Sequence, residues 1–252
     1  MIKIIMNGCN GKMGQVICSL VEKDNDCEIV AGIDINPSNA KFPTFTNINE
    51  CNINADVIID FSTASAIPEL LKYSENKELP VVICTTGLDE KTLKEIDKLS
   101  EKVPVFKSAN MSLGINLIAN LLKKATGILH ENGFDIEIIE KHHNQKIDAP
   151  SGTALLLADA INESMNNEFE YIYDRSKVRE KRSKKEIGIS SIRGGNIVGE
   201  HSVIFAGQDE IIEFTHFAHS KEVFAIGAVK AAKFLAKKPK GKYDMQNIMD
   251  EL

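Results

Sequence analysis

Ile2-Lys3-Ile4-Ile5-Met6-Asn7-Gly8-Cys9-Asn10-Gly11-Lys12-Met13-Gly14 is the stretch that decides how the chain folds. Ile2 to Met6 is a short apolar run suited to a buried strand, and three glycines in GxxGxxG spacing follow at once. A helical pattern through Val16, Leu20 and Val21 comes next. A strand that enters a helix through a glycine loop is the arrangement by which dinucleotide folds hold a pyrophosphate. The glycines admit the phosphates close to the backbone, and the free N–H groups of the helix start face them. Such a fold places a carboxylate at the end of its second strand, where it accepts hydrogen bonds from a ribose. Glu28 to Asp34 reads as that strand, and Asp34 falls 20 residues beyond Gly14.

The same rhythm continues outward. Val57 to Phe61, Val81 to Cys84 and Val103 to Phe106 read as strands, with helices at Pro68 to Tyr73 and Leu93 to Leu99. Short apolar strands alternating with amphipathic helices predict a doubly wound parallel sheet, an α/β fold of Rossmann type. Past Asn110 the pattern changes. A long helix (Leu113 to Leu129), a strand (Asp135 to Glu140) and a helix after Pro150 precede a polar stretch, Asn166 to Lys185. Three strand-like runs then follow one another: Ile187 to Ile192, Ser202 to Phe205 and Ile211 to Thr215. Consecutive strands predict a second, α+β domain on an open mixed or antiparallel sheet. Lys221 to Lys237 returns to helix.

Composition narrows the function classes. With 43% hydrophobic residues among 252, the chain folds around a core, and no run approaches the ~20 apolar residues of a membrane span. The short run before Asn7-Gly8 has no basic leader, so no cleaved signal is expected. A net charge of −6 disfavours nucleic acid and anionic membranes as partners. Five cysteines without a CxxC argue against disulfides and structural zinc, and fit reduced thiols in the cytoplasm. Arg175 to Glu186 holds seven basic residues against two acidic and reads as a mobile, solvated loop; no aromatic is interleaved for stacking on bases.

Candidate nucleotide contacts are Gly8, Cys9, Asn10, Gly11, Lys12, Met13 and Asp34. The loops at the carboxyl ends of later strands join them: Phe61-Ser62-Thr63, Cys84-Thr85-Thr86-Gly87 and Ser108-Ala109-Asn110-Met111. Lys12 suits a 2′-phosphate and thus NADPH, whereas Asp34 suits the free ribose of NADH and Ile35 offers no cation; use of both NADH and NADPH is expected.

Glu140-Lys141-His142-His143-Asn144-Gln145-Lys146-Ile147-Asp148-Ala149-Pro150-Ser151-Gly152-Thr153-Ala154 is the most informative segment for chemistry. Lys141, His142, His143 and Lys146 gather potential cations in an acidic protein, and a helix start at Ser151-Gly152-Thr153 offers N–H groups and hydroxyls to an anion. Together they suit a small substrate carrying carboxylates. Zinc is the other reading of the histidine pair, but adjacent strand residues point to opposite faces and no third ligand lies at a telling spacing, so no metal is expected. Arg193, in an Arg-Gly-Gly turn, serves either a substrate carboxylate or the turn itself.

These motifs, with Val198-Gly199-Glu200-His201, Phe224-Ala225-Ile226-Gly227-Ala228 and Tyr243-Asp244-Met245, resemble the 4-hydroxy-tetrahydrodipicolinate reductase (dihydrodipicolinate reductase) family nearly end to end. The resemblance implies NAD(P)H-dependent reduction of a cyclic imine dicarboxylate on the route to diaminopimelate and lysine. It implies His142 as the acid/base residue, Lys146 as the proton donor, and His143, Ser151, Gly152 and Thr153 around the dicarboxylate. It further implies a nucleotide domain of residues 1–110 and 217–252, a substrate and oligomerisation domain of 111–216 inserted before the last helix, and a homotetramer. A nucleotide sensor without turnover and a different amino-acid dehydrogenase are the rival classes.

Overall fold

The computed structural model describes residues 1–36, 40–177 and 179–251. Position 178 of the basic run and the last residue of the 217–252 segment lie outside the described residues. The chain divides into two units, Met1–Ser112 with Glu222–Leu252, and Leu113–Lys221.

The first unit holds strands β1 (Ile2–Asn7), β2 (Cys27–Ile33), β3 (Thr44–Phe45), β4 (Val57–Asp60), β5 (Val81–Ile83), β6 (Pro104–Lys107) and, numbered along the whole chain, β12 (Gly241–Tyr243). They form one parallel sheet in the order β12-β6-β5-β4-β1-β2-β3. Helices α1 (Lys12–Val21), α2 (Ile67–Lys77), α3 (Glu90–Ser100), α6 (Glu222–Leu235) and α7 (Met245–Met249) belong to the same unit. In central β4 all four residues, Val57, Ile58, Ile59 and Asp60, are buried. A strand covered on both faces needs no polar alternation, which is why it reads as a continuous apolar run. This is a doubly wound, Rossmann-type sheet, as the sequence predicts.

The second unit holds α4 (Leu113–Glu131), β7 (Asp135–His142), α5 (Gly152–Ser164), β8 (Glu170–Ile172), β9 (Glu186–Arg193), β10 (Gly199–Ala206) and β11 (Ile211–Ala218). Its sheet runs β11-β10-β7-β9-β8 and is mixed: β10 is antiparallel to β7 and β11, while β7, β9 and β8 are parallel. Along β7 Ile136, Ile138, Glu140 and His142 are buried, whereas Asp135, Glu137, Ile139 and Lys141 are half-buried. The period of two comes from a sheet with unlike faces. Ile115 and Leu122 of α4 and Leu157 and Ile161 of α5 pack with Ile136, Ile138, Val203 and Phe205. The opposite face carries Ile139, Ile192, Ile204 and Phe217, and Phe217 is 53% exposed.

Most of the basic run is solvated, with Lys177, Arg179, Lys181, Lys184 and Lys185 exposed, but Arg175 and Arg182 anchor it. The Arg182 side chain is only 17% exposed. Its Nε donates to Glu137 at 3.1 Å and its guanidinium also meets Asp135 and the Ile136 carbonyl. Arg175 pairs with Glu186, and Lys185 with Glu168 at 2.5 Å. The run supplies the cations for an acidic strand end about 45 residues upstream in the chain, a pairing that local charge counting cannot see.

Candidate active site

At the carboxyl edge of the parallel sheet, Gly8 takes φ = +83°, and a Cβ there would lie 2.5 Å from the Phe61 carbonyl oxygen. A Cβ on Gly14 would lie 2.0 Å from the Gly8 carbonyl oxygen. Only glycine permits this close turn of loop onto helix. The N-cap of α1 is Gly11, which supplies no side-chain cap. The first N–H groups of α1 are therefore left for an anion.

Gly8, Asn10, Gly11, Asp34, Ser62 and Thr63 line a cavity of about 510 Å³. One Asp34 carboxylate oxygen accepts from the Asn10 N–H at 3.0 Å and the other from the Asn36 N–H at 3.0 Å. These bonds hold the carboxylate still and leave each oxygen a lone pair. Cys9 lies outside the residues lining this cavity; its side chain is buried, and burial pushes its thiol up to about 11. Lys12 and Met13 open α1, Lys12 exposed and Met13 half-buried, outside the residues lining this cavity.

A second cavity, about 430 Å³, is lined by Cys84, Thr85, Thr86, Ser108, Ala109, Asn110 and Met111, and shares Phe61 with the first. Lys107 and Phe224 also line it, and sequence reasoning had named neither for the site. Beneath it lies Asp60, fully buried, accepting from Asn7 at 2.8 Å, from the Ser62 hydroxyl at 2.5 Å and from Thr85 at 2.7 Å. Burial raises its carboxyl despite these donors. Asp60 thereby locks together three of the loops that edge the two cavities. Burial also raises the Cys84 thiol well above its ordinary range and lowers the Lys107 ammonium. A glycine loop, a fixed carboxylate and a run of small polar groups across two adjoining cavities fit a nicotinamide dinucleotide.

The second unit builds its polar centre on the buried face of β7. Strand residues two apart share a face, so the apolar positions 136 and 138 continue into Glu140 and His142. Glu140 is 0% exposed. It accepts from both terminal nitrogens of Arg193, at 2.6 and 2.8 Å, and from the Ser151 N–H at 3.1 Å. His142 Nδ1 lies 2.6 Å from its Oε2. Burial alone would raise the Glu140 carboxyl, but the His142 and Arg193 hydrogen bonds outweigh it and hold the group well below the carboxylate range. Arg193, left open between substrate and turn, is thus committed to a carboxylate of the protein. Across the sheet His201 stands opposite Glu140, with its Nε2 3.0 Å from the Ser151 hydroxyl. Burial, together with the nearby His142, pushes the His201 imidazole down to about 3.

Ser151 caps α5 by accepting the Ala154 N–H at 3.1 Å, with Gly152 exposed and Thr153 half-buried in the first turn. His143 is half-buried after the strand end, and Lys146 Nζ donates to Asp148 at 2.8 Å. The structure thus brings His142, Lys146 and the α5 start to one end of this sheet, together with Arg193 and with Glu140 and His201, which sequence reasoning had not assigned to the site. The missed signal for Glu140 was the period of two: an ionisable residue in phase with the buried positions 136 and 138.

Residues 2–111 match the family model described as Dihydrodipicolinate reductase, N-terminus, and residues 114–249 that described as Dihydrodipicolinate reductase, C-terminus. The chain is 54% identical over 250 residues to a 4-hydroxy-tetrahydrodipicolinate reductase of Clostridium novyi, covering 99% of this chain and 98% of that protein. It is 51% identical over 249 residues to one from Caldanaerobacter subterraneus subsp. tengcongensis, with the same coverage. Among solved structures, a dipicolinate-bound dihydrodipicolinate reductase from Paenisporosarcina sp. TG-14 matches with a TM-score of 0.80 at 26% identity, over 98% of this chain and 99% of that one. An NADH-bound WlbA dehydrogenase shares the fold at 13% identity and a TM-score of 0.60. The chain belongs to the dihydrodipicolinate reductase family.

Proposed function

We infer that the protein reduces 4-hydroxy-tetrahydrodipicolinate to tetrahydrodipicolinate with a nicotinamide dinucleotide, in lysine and diaminopimelate biosynthesis. The observation that carries this reading is the gathering of His142, Lys146 and the first turn of α5 at one end of the second unit's sheet. The glycine loop, Asp34 and the two adjoining cavities of the first unit support its nucleotide half. When bound, the reduced nicotinamide supplies a hydride to C4 of the cyclic imine.

The chain's own residues do the rest. Gly8, Cys9, Asn10, Gly11, Lys12 and Met13 lie along the pyrophosphate, with the N–H groups of Lys12 and Met13 at the start of α1 turned to it, because those of residues 8–11 are spent within the loop. Asp34 accepts from a ribose, and residues 84–86 and 108–111 line the nicotinamide end. Asp34 suits NADH and Lys12 suits NADPH, so both serve. His143, Ser151, Gly152 and Thr153 hold the dicarboxylate. Loss of the 4-hydroxyl as water leaves a conjugated imine; hydride delivered to its C4 leaves an enamine that needs a proton, which Lys146 donates with His142 as the acid/base partner. The unit of Met1–Ser112 and Glu222–Leu252 is the nucleotide domain, and Leu113–Lys221 the domain for substrate and assembly. The uncovered face of the second sheet suits a homotetramer, and the reduced thiols suit the cytoplasm.

The test follows nicotinamide absorbance with the cyclic substrate made in situ from aspartate semialdehyde and pyruvate, using NADH and NADPH in turn. Oxidation that needs this mixture is the expected result. His142→Gln and Lys146→Ala are expected to fold and bind nucleotide while losing on the order of 10²–10⁴ in turnover. Nucleotide binding without oxidation would leave a sensor; near-normal rates in either variant would remove that residue from the mechanism.

A further inference from the structure

We propose that Glu140 is a positioning residue: its buried carboxylate, clamped by Arg193, holds the proton of His142 on Nδ1 and so makes Nε2 the nitrogen that exchanges protons with the ligand. This rests on the role given to His142 above and extends it to a side chain to which that reading assigns nothing.

The argument is one of donors and acceptors. Glu140 is fully buried and receives two guanidinium N–H groups and the Ser151 N–H. A carboxylate so surrounded by donors is ionised, and an ionised carboxylate only accepts. The 2.6 Å contact between Oε2 and His142 Nδ1 therefore has the nitrogen as donor. In neutral His142 the lone pair sits on Nε2; in the imidazolium Nε2 carries the mobile proton. In both states exchange runs through Nε2.

The surroundings of Nε2 agree. The residue across from it is Gly199, and a Cβ there would come within 3.1 Å of Nε2. The His201 ring meets the His142 ring edge-on at 5.1 Å between centroids. The same carboxylate also holds the Ser151 N–H, and Ser151 caps the helix offered to the substrate. One buried side chain thus fixes the acid/base group and the anion-binding turn relative to each other. Arg193 balances its charge, so the His142 ring lies beside a neutralised pair and not beside a bare anion.

Nitrogen-15 NMR of the histidine-labelled full-length protein, over a pH series that reaches the unprotonated ring, reads the tautomer directly and needs no substitution. Protonation on Nδ1 is expected, and protonation on Nε2 overturns the proposal. In Glu140→Gln the amide can donate to Nδ1, which moves the ring proton to Nε2. Turnover is expected to fall on the order of 10²-fold, with KM and nucleotide affinity changed less than about threefold. Glu140→Asp, which keeps the charge, is expected to recover part of the rate.

The pH profile of turnover in Glu140→Gln is read against the groups facing His142: Arg193, His201 and Lys146. A profile displaced from that of the parent supports the proposal; a superimposable profile with an unchanged rate overturns it. His142→Gln separates the two claims. If His142→Gln is slow and Glu140→Gln is not, the positioning role fails alone. If His142→Gln keeps full turnover, the reading of His142 fails whatever Glu140 does.

Discussion

Glu140 and His201 lie side by side on neighbouring strands of the second sheet, two buried ionisable groups that continue the face carrying Ile136 and Ile138. Each depends on hydrogen bonds that only the folded chain supplies. His201 has a consequence for stability against pH. Its folded value, about 3, lies below the 6.5 of the free side chain because burial disfavours the charged ring. Between those values the unfolded chain binds the extra proton, so stability is full above about pH 6.5 and declines as pH falls towards 3. Glu140, held low by its partners, adds to the decline only below the ordinary carboxylate range. Urea unfolding at a series of pH values should show stability falling from pH 7 to 4. His201→Gln should remove a share on the order of a few kcal/mol of that fall. Parallel pH curves for parent and variant would show that His201 is not its source.

Among the helices, the starts of α1 and α5 differ in a way that fits their tasks. Gly11 leaves the first N–H groups of α1 unclaimed, whereas Ser151 claims one in α5 and also meets His201. Ser151→Ala should cost about 1 kcal/mol through the lost cap, measured by denaturant unfolding; an unchanged midpoint would mean that solvent replaces the hydroxyl. Strand boundaries for β1, β2, β4, β5 and β6 were legible to within a residue or two, because each is an apolar run closed by a polar or glycine-bearing loop. β3, β8 and β12 were not, and all three are edge strands of two or three residues. A run that short carries no period of its own; it becomes a strand because a neighbouring edge offers unpaired N–H and C=O groups.

At the scale of the molecule, the two sheets solve the covering problem differently. The parallel sheet carries helices and needs no partner, whereas the five-stranded sheet leaves Ile139, Ile192, Ile204 and Phe217 on a face away from α4 and α5. An apolar, partly exposed sheet face of this kind is covered economically by a second copy. Ile139→Glu with Ile204→Glu places new charges beside Glu137 and Glu213 and should shift the mass in solution from the proposed tetramer towards smaller species, read by light scattering. A monomeric parent, or a variant of unchanged mass, would exclude this face as the assembly surface.

The order of the longer strands and helices, the glycine loop with Asp34 beyond it, and the segment from His142 to Thr153 were determined by the sequence alone. Periodicity and spacing are local properties, and these features are local. The partners of the charged groups were decided only by tertiary structure. Arg193 finds Glu140 at a distance of 53 positions, His201 finds Ser151 at 50, and Arg182 finds Glu137 at 45. Strand register sets which side chains meet, and register is a property of the assembled sheet. Whether a buried acid is ionised, or a histidine neutral, follows from those meetings and from nothing nearer along the chain.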